Sequence, residues 1–233
     1  MTPLPGLDLD RGVSGLFVKL PSTEVVDIVA ASALDFIVVD LEHSQLSEGE
    51  ALRLVRHAYT LGFPALARIP EFDRGAVNRL LEAGAAGIQL STVRRAAQIS
   101  ELRSACRYPP DGNRSISLTH PLAGYGATSL ANYLAQRESE APLVVAQIET
   151  ATTEDSLDEI MEARPDAVFI GTADLAVDLG LDTEHVRARI EEIASAAEKT
   201  GTVLGAYNLD DRRVRYRISS SDLALLGSAL KSP

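Results

Sequence analysis

Short apolar runs alternate along the chain with longer stretches in which apolar residues recur every three or four positions. The first run is Leu16-Phe17-Val18-Lys19-Leu20. Pro21-Ser22 then opens a segment with Val25, Val26, Ile28 and Val29 at helical spacing, and Ser22 stands where an N-cap belongs. Asp35 to Val39 is nearly all apolar and ends on Asp40. A run that apolar suits a parallel strand buried on both faces. Residues 47–61 carry Ala51, Leu52, Val55 and Ala58 on one helical face. Pro64 to Ala67 read as a strand ending at Arg68, and residues 73–83 as a helix stopped by Gly84.

The alternation predicts further strands at 87–90, 143–148, 167–170 and 203–207, and helices at 93–105, 130–136, 156–163 and 183–200. Residues 107–127 break the rhythm with Pro109-Pro110, Gly112, Pro121, Gly124 and Gly126, a long loop of the kind compact domains keep for function. Towards the end the pattern predicts a weak helix over 210–218 and a last strand at 223–226. About eight strands separated by helices, with no linker, predict a parallel sheet closed as a (β/α)8 TIM barrel. The expected architecture is one domain over residues 1–233, modified by a short or missing eighth helix. A doubly wound open sheet is the alternative, but no G-x-G-x-x-G follows the first strand to support its dinucleotide-binding form.

Composition narrows the function classes. Net charge is −11 over 233 residues, which argues against sequence-independent nucleic-acid binding, since that depends on Lys and Arg neutralising phosphates. The one cysteine, Cys106, excludes an intrachain disulfide framework and a Cys-rich zinc site. MTPLPGLDLDRG has no basic stretch followed by an apolar run, and no run reaches membrane-span length. The expectation is a cytoplasmic protein with neither a nucleic-acid nor a membrane partner.

Chemistry in a barrel collects where the strands end. Strand ends here carry Asp40-Leu41-Glu42-His43, Arg68, Gln147-Ile148-Glu149 and Gly171-Thr172-Ala173-Asp174. Glu149 and Asp174 are one βα unit apart, and two carboxylates with open positions suit Mg²⁺ or Mn²⁺; equally, each suits the cap of a following helix. His43 beside Glu42 and near Asp40 is either an oriented imidazole that moves a proton or a loop histidine bonded to backbone. Arg68 either meets a carboxylate or oxyanion or forms a structural salt bridge. Arg114 in the long loop is a second anion contact or an exposed residue, and His120 in the same loop is within reach of the mouth. Among Lys19, Lys199 and Lys231, only Lys19 lies near a strand end, so a Schiff base would have to use it; an outward lysine is the simpler expectation.

Six segments together resemble the HpcH/HpaI aldolase/citrate lyase family, divalent-metal pyruvate aldolases. They are Asp35-Phe36-Ile37-Val38-Val39-Asp40-Leu41-Glu42-His43-Ser44, Ala67-Arg68-Ile69-Pro70, Leu80-Leu81-Glu82-Ala83-Gly84-Ala85, Arg107-Tyr108-Pro109-Pro110-Asp111-Gly112-Asn113-Arg114, Gln147-Ile148-Glu149-Thr150 and Phe169-Ile170-Gly171-Thr172-Ala173-Asp174-Leu175. The resemblance implies a modified TIM barrel and reversible aldol chemistry between a 2-oxo acid such as pyruvate and an aldehyde or ketone acceptor. It implies that Glu149 and Asp174 hold Mg²⁺ or Mn²⁺, with Co²⁺ also admitted. Arg68 would stabilise the enolate, and His43, oriented by Asp40, would serve the proton transfers. Glu42, Gln147, Thr172, Ala173 and Arg114 would line the substrate site, Glu42 by holding metal-bound water. A homo-oligomer is implied as well. One branch of the family condenses rather than cleaves, giving a citrate-synthase-like alternative; a non-catalytic binding barrel is a third. The chain departs from the family at Ser91-Thr92, where a Pro-Met pair is frequent, and at Thr172, where proline is.

Overall fold

The computed structural model describes residues 6–231; residues 1–5, part of the stretch read for an export signal, and residues 232–233 lie outside them. The first four units are β1 (Val13–Val18) with α1 (Thr23–Ala30), β2 (Phe36–Asp40) with α2 (Glu48–Thr60), β3 (Ala65–Ile69) with α3 (Arg74–Ala83), and β4 (Gly87–Leu90) with α4 (Ala96–Cys106). After the long loop come α5 (Leu130–Ser139), β5 (Leu143–Ile148), α6 (Leu157–Glu162), β6 (Ala167–Ile170), α7 (Thr172–Asp178) and α8 (Thr183–Thr200). The chain continues through β7 (Val203–Tyr207), β8 (Val214–Ser221) and α9 (Asp222–Ala229). The strands pair in parallel in chain order, and β8 returns to β1, closing the barrel. Among the described residues no helix is long and apolar enough to cross a membrane.

Local signals set the helix ends. Ser22, Ser47, Asp73, Ser129 and Ser156 each cap a helix through a side-chain oxygen, and Glu50 and Glu159 complete capping boxes at α2 and α6. Gly84 ends α3 in the left-handed region at φ 113°, where a Cβ would be strained.

Because side chains alternate along a strand, each strand supplies two cores. Ile37, Val39, Ile88 and Ile170 face outward against the helices, where they meet Leu54, Leu80 and Ile193. Phe17, Phe36, Val38, Leu66, Val145, Phe169, Tyr216 and Ile218 fill the barrel. Full burial of each such aliphatic side chain stabilises by roughly 1.5–3 kcal/mol. The inward series is what aims the polar residues. Phe17 leads to Lys19, Phe36 and Val38 to Asp40, Leu66 to Arg68, Val145 and Gln147 to Glu149, and Phe169 to Gly171. On β1, β2, β3 and β5 the apolar plug therefore gives way to a charged mouth within a few residues.

The eighth unit differs from its sequence reading. Residues 210–218 are not a helix: Val214, Tyr216 and Ile218 alternate with Arg215, Arg217 and Ser219 and form most of β8. Residues 223–226 are not a strand: they belong to α9, which Ser221 caps. The eighth helix is thus present but short, at eight residues. Thr172 to Asp174, read as part of a strand end, instead open α7, and α4 begins at Ala96 rather than Val93.

Candidate active site

Asp40 and Arg68 are register partners on β2 and β3. Arg68 donates from Nε to Asp40 Oδ1 at 2.8 Å and from Nη2 to Oδ2 at 2.6 Å, both groups buried. Its Nη1 lies 3.2 Å from Glu42 Oε2, and its guanidinium stacks on Phe17 at 4.2 Å. Of five guanidinium N–H donors, two remain for a ligand. Burial pushes the Asp40 carboxyl up, but the hydrogen bonds and charge of Arg68 outweigh it and hold Asp40 below its usual range.

Glu149 is buried and held by neutral donors. Its Oε1 accepts from the Thr92 backbone N–H at 2.8 Å and the Thr92 hydroxyl at 2.7 Å, and its Oε2 accepts from Gln147 Nε2 at 2.5 Å. Thr92 does this with φ at 49°, a left-handed conformation that costs a β-branched residue energy. Behind Gln147 runs a relay: Tyr216 Oη donates to Gln89 Oε1 at 3.1 Å, and Gln89 Nε2 to Gln147 Oε1 at 2.6 Å. Gly171 makes the room. A Cβ there would fall 2.7 Å from the Glu149 Cβ and nearer still to Oε2.

Glu42 accepts from the Ser91 hydroxyl at 2.6 Å. Burial pushes its carboxyl up, and the charge of Glu149 adds to this, against Ser91 and Arg68. His43 is half-exposed, with Nε2 3.8 Å from Glu42 Oε2. Asp40 reaches His43 only through the backbone N–H, at 3.2 Å, so the expected Asp40-to-imidazole contact gives way to the Asp40–Arg68 pair.

Two adjoining cavities result. One, of about 170 Å³, is lined by Phe17, Lys19, Arg68, Gln147, Thr172 and Ala173, among others. The second, of about 260 Å³, is lined by Glu42, Thr92, Glu149, Thr150 and Asp178, among others. His43 and Asp174 belong to both. The fold thus gathers the expected residues at one mouth, apart from Arg114. That side chain is buried over the Tyr108 ring at 4.9 Å, donates to Asn78 Oδ1 at 3.4 Å, and lines a separate cavity with Cys106 and Arg107. His120 also stays in the long loop, with Nε2 2.9 Å from Ser117 O. Cys106 is buried, which pushes its thiol up to about 12 and leaves it inert at neutral pH. His57 and His185 pair with Asp27 and Asp182 on the outside.

Sequence reading missed the roles of Ser91, Thr92 and Gln89, and the inward turn of Lys19. The last was recoverable: Lys19 follows Phe17 by two positions, on the same face of the strand.

The donor chemistry fits a hard divalent cation. Glu149 and Asp174 neighbour one cavity, and neither caps a helix end. Among the described residues no three His, Cys, Asp or Glu side chains stand in ligand geometry. A cation bound by two carboxylates that leaves positions for water or substrate oxygens needs no more.

The family model for HpcH/HpaI aldolase/citrate lyase matches residues 13–228. A hydroxypyruvate/pyruvate aldolase of Rhizorhabdus wittichii is 31% identical over 230 residues, covering 92% of this chain and 90% of the relative. A 4-hydroxy-4-methyl-2-oxoglutarate aldolase of Hapsidospora irregularis is 29% identical, covering 81% and 72%. The crystal structure of an HpcH/HpaI aldolase from Desulfitobacterium hafniense superposes with a TM-score of 0.84 at 29% identity, covering 94% of this chain and 90% of that one. The citrate synthase SbnG shares the fold at 23% identity and a TM-score of 0.80. With the barrel, the mouth and these matches in agreement, the chain belongs to the HpcH/HpaI aldolase/citrate lyase family and is a carbon–carbon lyase of aldolase type.

Proposed function

We propose that the chain cleaves and forms the aldol bond between a pyruvate-type 2-oxo acid and an aldehyde or ketone, with Mg²⁺ or Mn²⁺ held by Glu149 and Asp174. The observation that carries this reading is the meeting of Arg68, His43 and Gln147 with both carboxylates around adjoining cavities at one mouth. The names of the two aldolase relatives support a 2-oxo acid donor. When bound, a divalent cation supplies a Lewis acid, which lowers the cost of forming an enolate. Arg68 sets a fixed positive charge and two spare N–H donors beside the developing oxyanion. Asp40 serves by fixing the plane of that fork rather than by moving a proton. Gln147, Thr172 and Ala173 bound the space for the 2-oxo acid. His43, open to water and close to Glu42, carries the proton of the aldol hydroxyl.

Exchange of the pyruvate methyl protons in D₂O, followed by NMR, tests the reading. Exchange is expected with Mg²⁺ or Mn²⁺ and not without; its absence under every condition would point to a non-catalytic barrel. We also assign Leu223, Leu225, Leu226 and Leu230, which α9 and its end leave exposed, to a contact between copies in a homo-oligomer. A monomer mass by light scattering would remove that assignment.

A further inference from the structure

Lys19 is built into the mouth without a place in the chemistry above. Its backbone N–H donates to both oxygens of Asp222, at 3.1 and 2.9 Å, and that of Leu20 donates to Oδ2 at 2.9 Å. The end of β1 is therefore pinned, and the side chain that follows Phe17 is directed inward. That side chain is only 19% exposed, and its Nζ stands 3.3 Å from Asp40 Oδ2. Asp40 is already met by the Arg68 fork at 2.8 and 2.6 Å. An ammonium has three donors, so Lys19 keeps hydrogen-bonding capacity beyond this one contact. It faces the cavity of about 170 Å³, whose other walls include the rings of Phe17, Phe169 and Tyr207. Apolar walls exclude water and strengthen the pull of a fixed charge on an anion.

Resting on the aldolase reading, we propose that Lys19 binds a carboxylate on the acceptor, so that the carbonyl partner is a short aldehyde or ketone acid and the condensed product a 4-hydroxy-2-oxo dicarboxylate. Lys19 shares the cavity of about 170 Å³ with Gln147, Thr172 and Ala173, so the space left beside the 2-oxo acid suits a short partner. An ammonium meets either a carboxylate or a phosphate as a point charge, and the small space beside the 2-oxo acid favours the smaller group, a carboxylate. The step balances without an oxidant. The methyl carbon of pyruvate gives up a proton, and its electron pair forms the new bond to the acceptor carbonyl carbon. The π pair of that carbonyl moves to its oxygen, which takes up a proton and becomes the 4-hydroxyl.

The test compares glyoxylate with glycolaldehyde, acceptors of equal length that differ in a carboxylate against a neutral hydroxymethyl group. Both are condensed with pyruvate by the full chain in Mn²⁺. Wild type should prefer glyoxylate in kcat/KM. Lys19→Met should cut that preference about 10- to 100-fold, chiefly through the KM of glyoxylate, as expected for one charge-assisted hydrogen bond. Lys19→Arg should restore most of it. An unchanged preference in Lys19→Met, or a wild type that prefers glycolaldehyde, would overturn the proposal. So would a Lys19-dependent preference for glyceraldehyde 3-phosphate over glyoxylate, which would assign the site to phosphate. If Lys19→Met does not fold, rising salt applied to wild type replaces it: glyoxylate turnover should weaken relative to glycolaldehyde, and equal weakening counts against the proposal. Failure of the aldolase reading looks different, since neither acceptor would react and pyruvate protons would not exchange.

Discussion

The two sides of the mouth handle charge in opposite ways. On the β1–β3 side, opposite charges meet directly: Arg68 grips Asp40 and neighbours Glu42, and Lys19 leans on Asp40. On the β4–β6 side, Glu149 is held by a backbone amide, a hydroxyl and a carboxamide, none of which carries charge. Glu42 sits at the border, touched by Ser91 on one side and Arg68 on the other, and its carboxyl is raised chiefly by burial, with the charge of Glu149 adding to it. The lesson is one of electrostatic division. The first side balances itself and can serve as a rigid frame. The second orients Glu149 without neutralising it, as the cation site proposed above requires.

The strongest way to break this contrast is to empty the second side. Glu149→Ala and Asp174→Ala should each abolish Mn²⁺ binding measured by calorimetry; unchanged affinity in both would remove the metal site from the account. Next in size is His43→Ala, with an expected loss of roughly 10²–10⁴ in aldol cleavage. Oxaloacetate decarboxylation, which reaches the same enolate without deprotonating a hydroxyl, should suffer less. Equal losses in the two reactions would contradict the division of labour between His43 and Arg68. Arg68→Ala should then cost about 10²–10³ in both pyruvate proton exchange and cleavage. Arg68→Lys should recover little, because a point charge cannot replace the fork on Asp40.

The self-balancing side should announce itself in stability. Asp40→Asn takes from buried Arg68 its bidentate anion and leaves only Glu42 beside it, a loss of about 3 kcal/mol at neutral pH. The Asp40 carboxyl is held below its usual range in the folded protein, so its contribution is present above the unfolded value near pH 3.9 and lost as pH falls through the lower folded value. Urea unfolding of wild type and Asp40→Asn should therefore differ at pH 7 and converge in acid. The smallest expected effect belongs to Thr92→Val, which removes one hydroxyl donor from Glu149 and should weaken Mn²⁺ binding by about tenfold or less.

Legibility from sequence followed burial. Phe36 to Asp40 and Ala65 to Ile69 are buried throughout, so their apolar runs announced strands there, with bounds one or two residues off. At β8 every second residue is polar and two are arginines, and Asp210 to Arg213 just before it adds more charge; the period-2 signal of Val214, Tyr216 and Ile218 was lost in that setting. The leucines of α9 misled in the other direction, since an exposed apolar helix imitates a buried strand. Asp40, Arg68, Glu149 and Asp174 were legible because strand ends in a barrel share one rim. Ser91 and Thr92 were not, because their importance lies in partners 49 and 57 positions away. Arg114 and His120 depended on the path of the long loop, which turnover of Pro and Gly marks as irregular without saying where it goes.

Asp222 carries a consequence for how the molecule is made. Its carboxylate fastens Lys19 and Leu20 across separations of 203 and 202 residues. At synthesis rates of 5–20 residues per second, Lys19 waits about 10–40 s on a growing chain before its anchor exists. Glu149 and Asp174 have both been made by residue 174. On the ribosome, both carboxylates are therefore written well before the residue that pins the lysine, so the contact that fixes the β1 side of the mouth is among the last the chain can make.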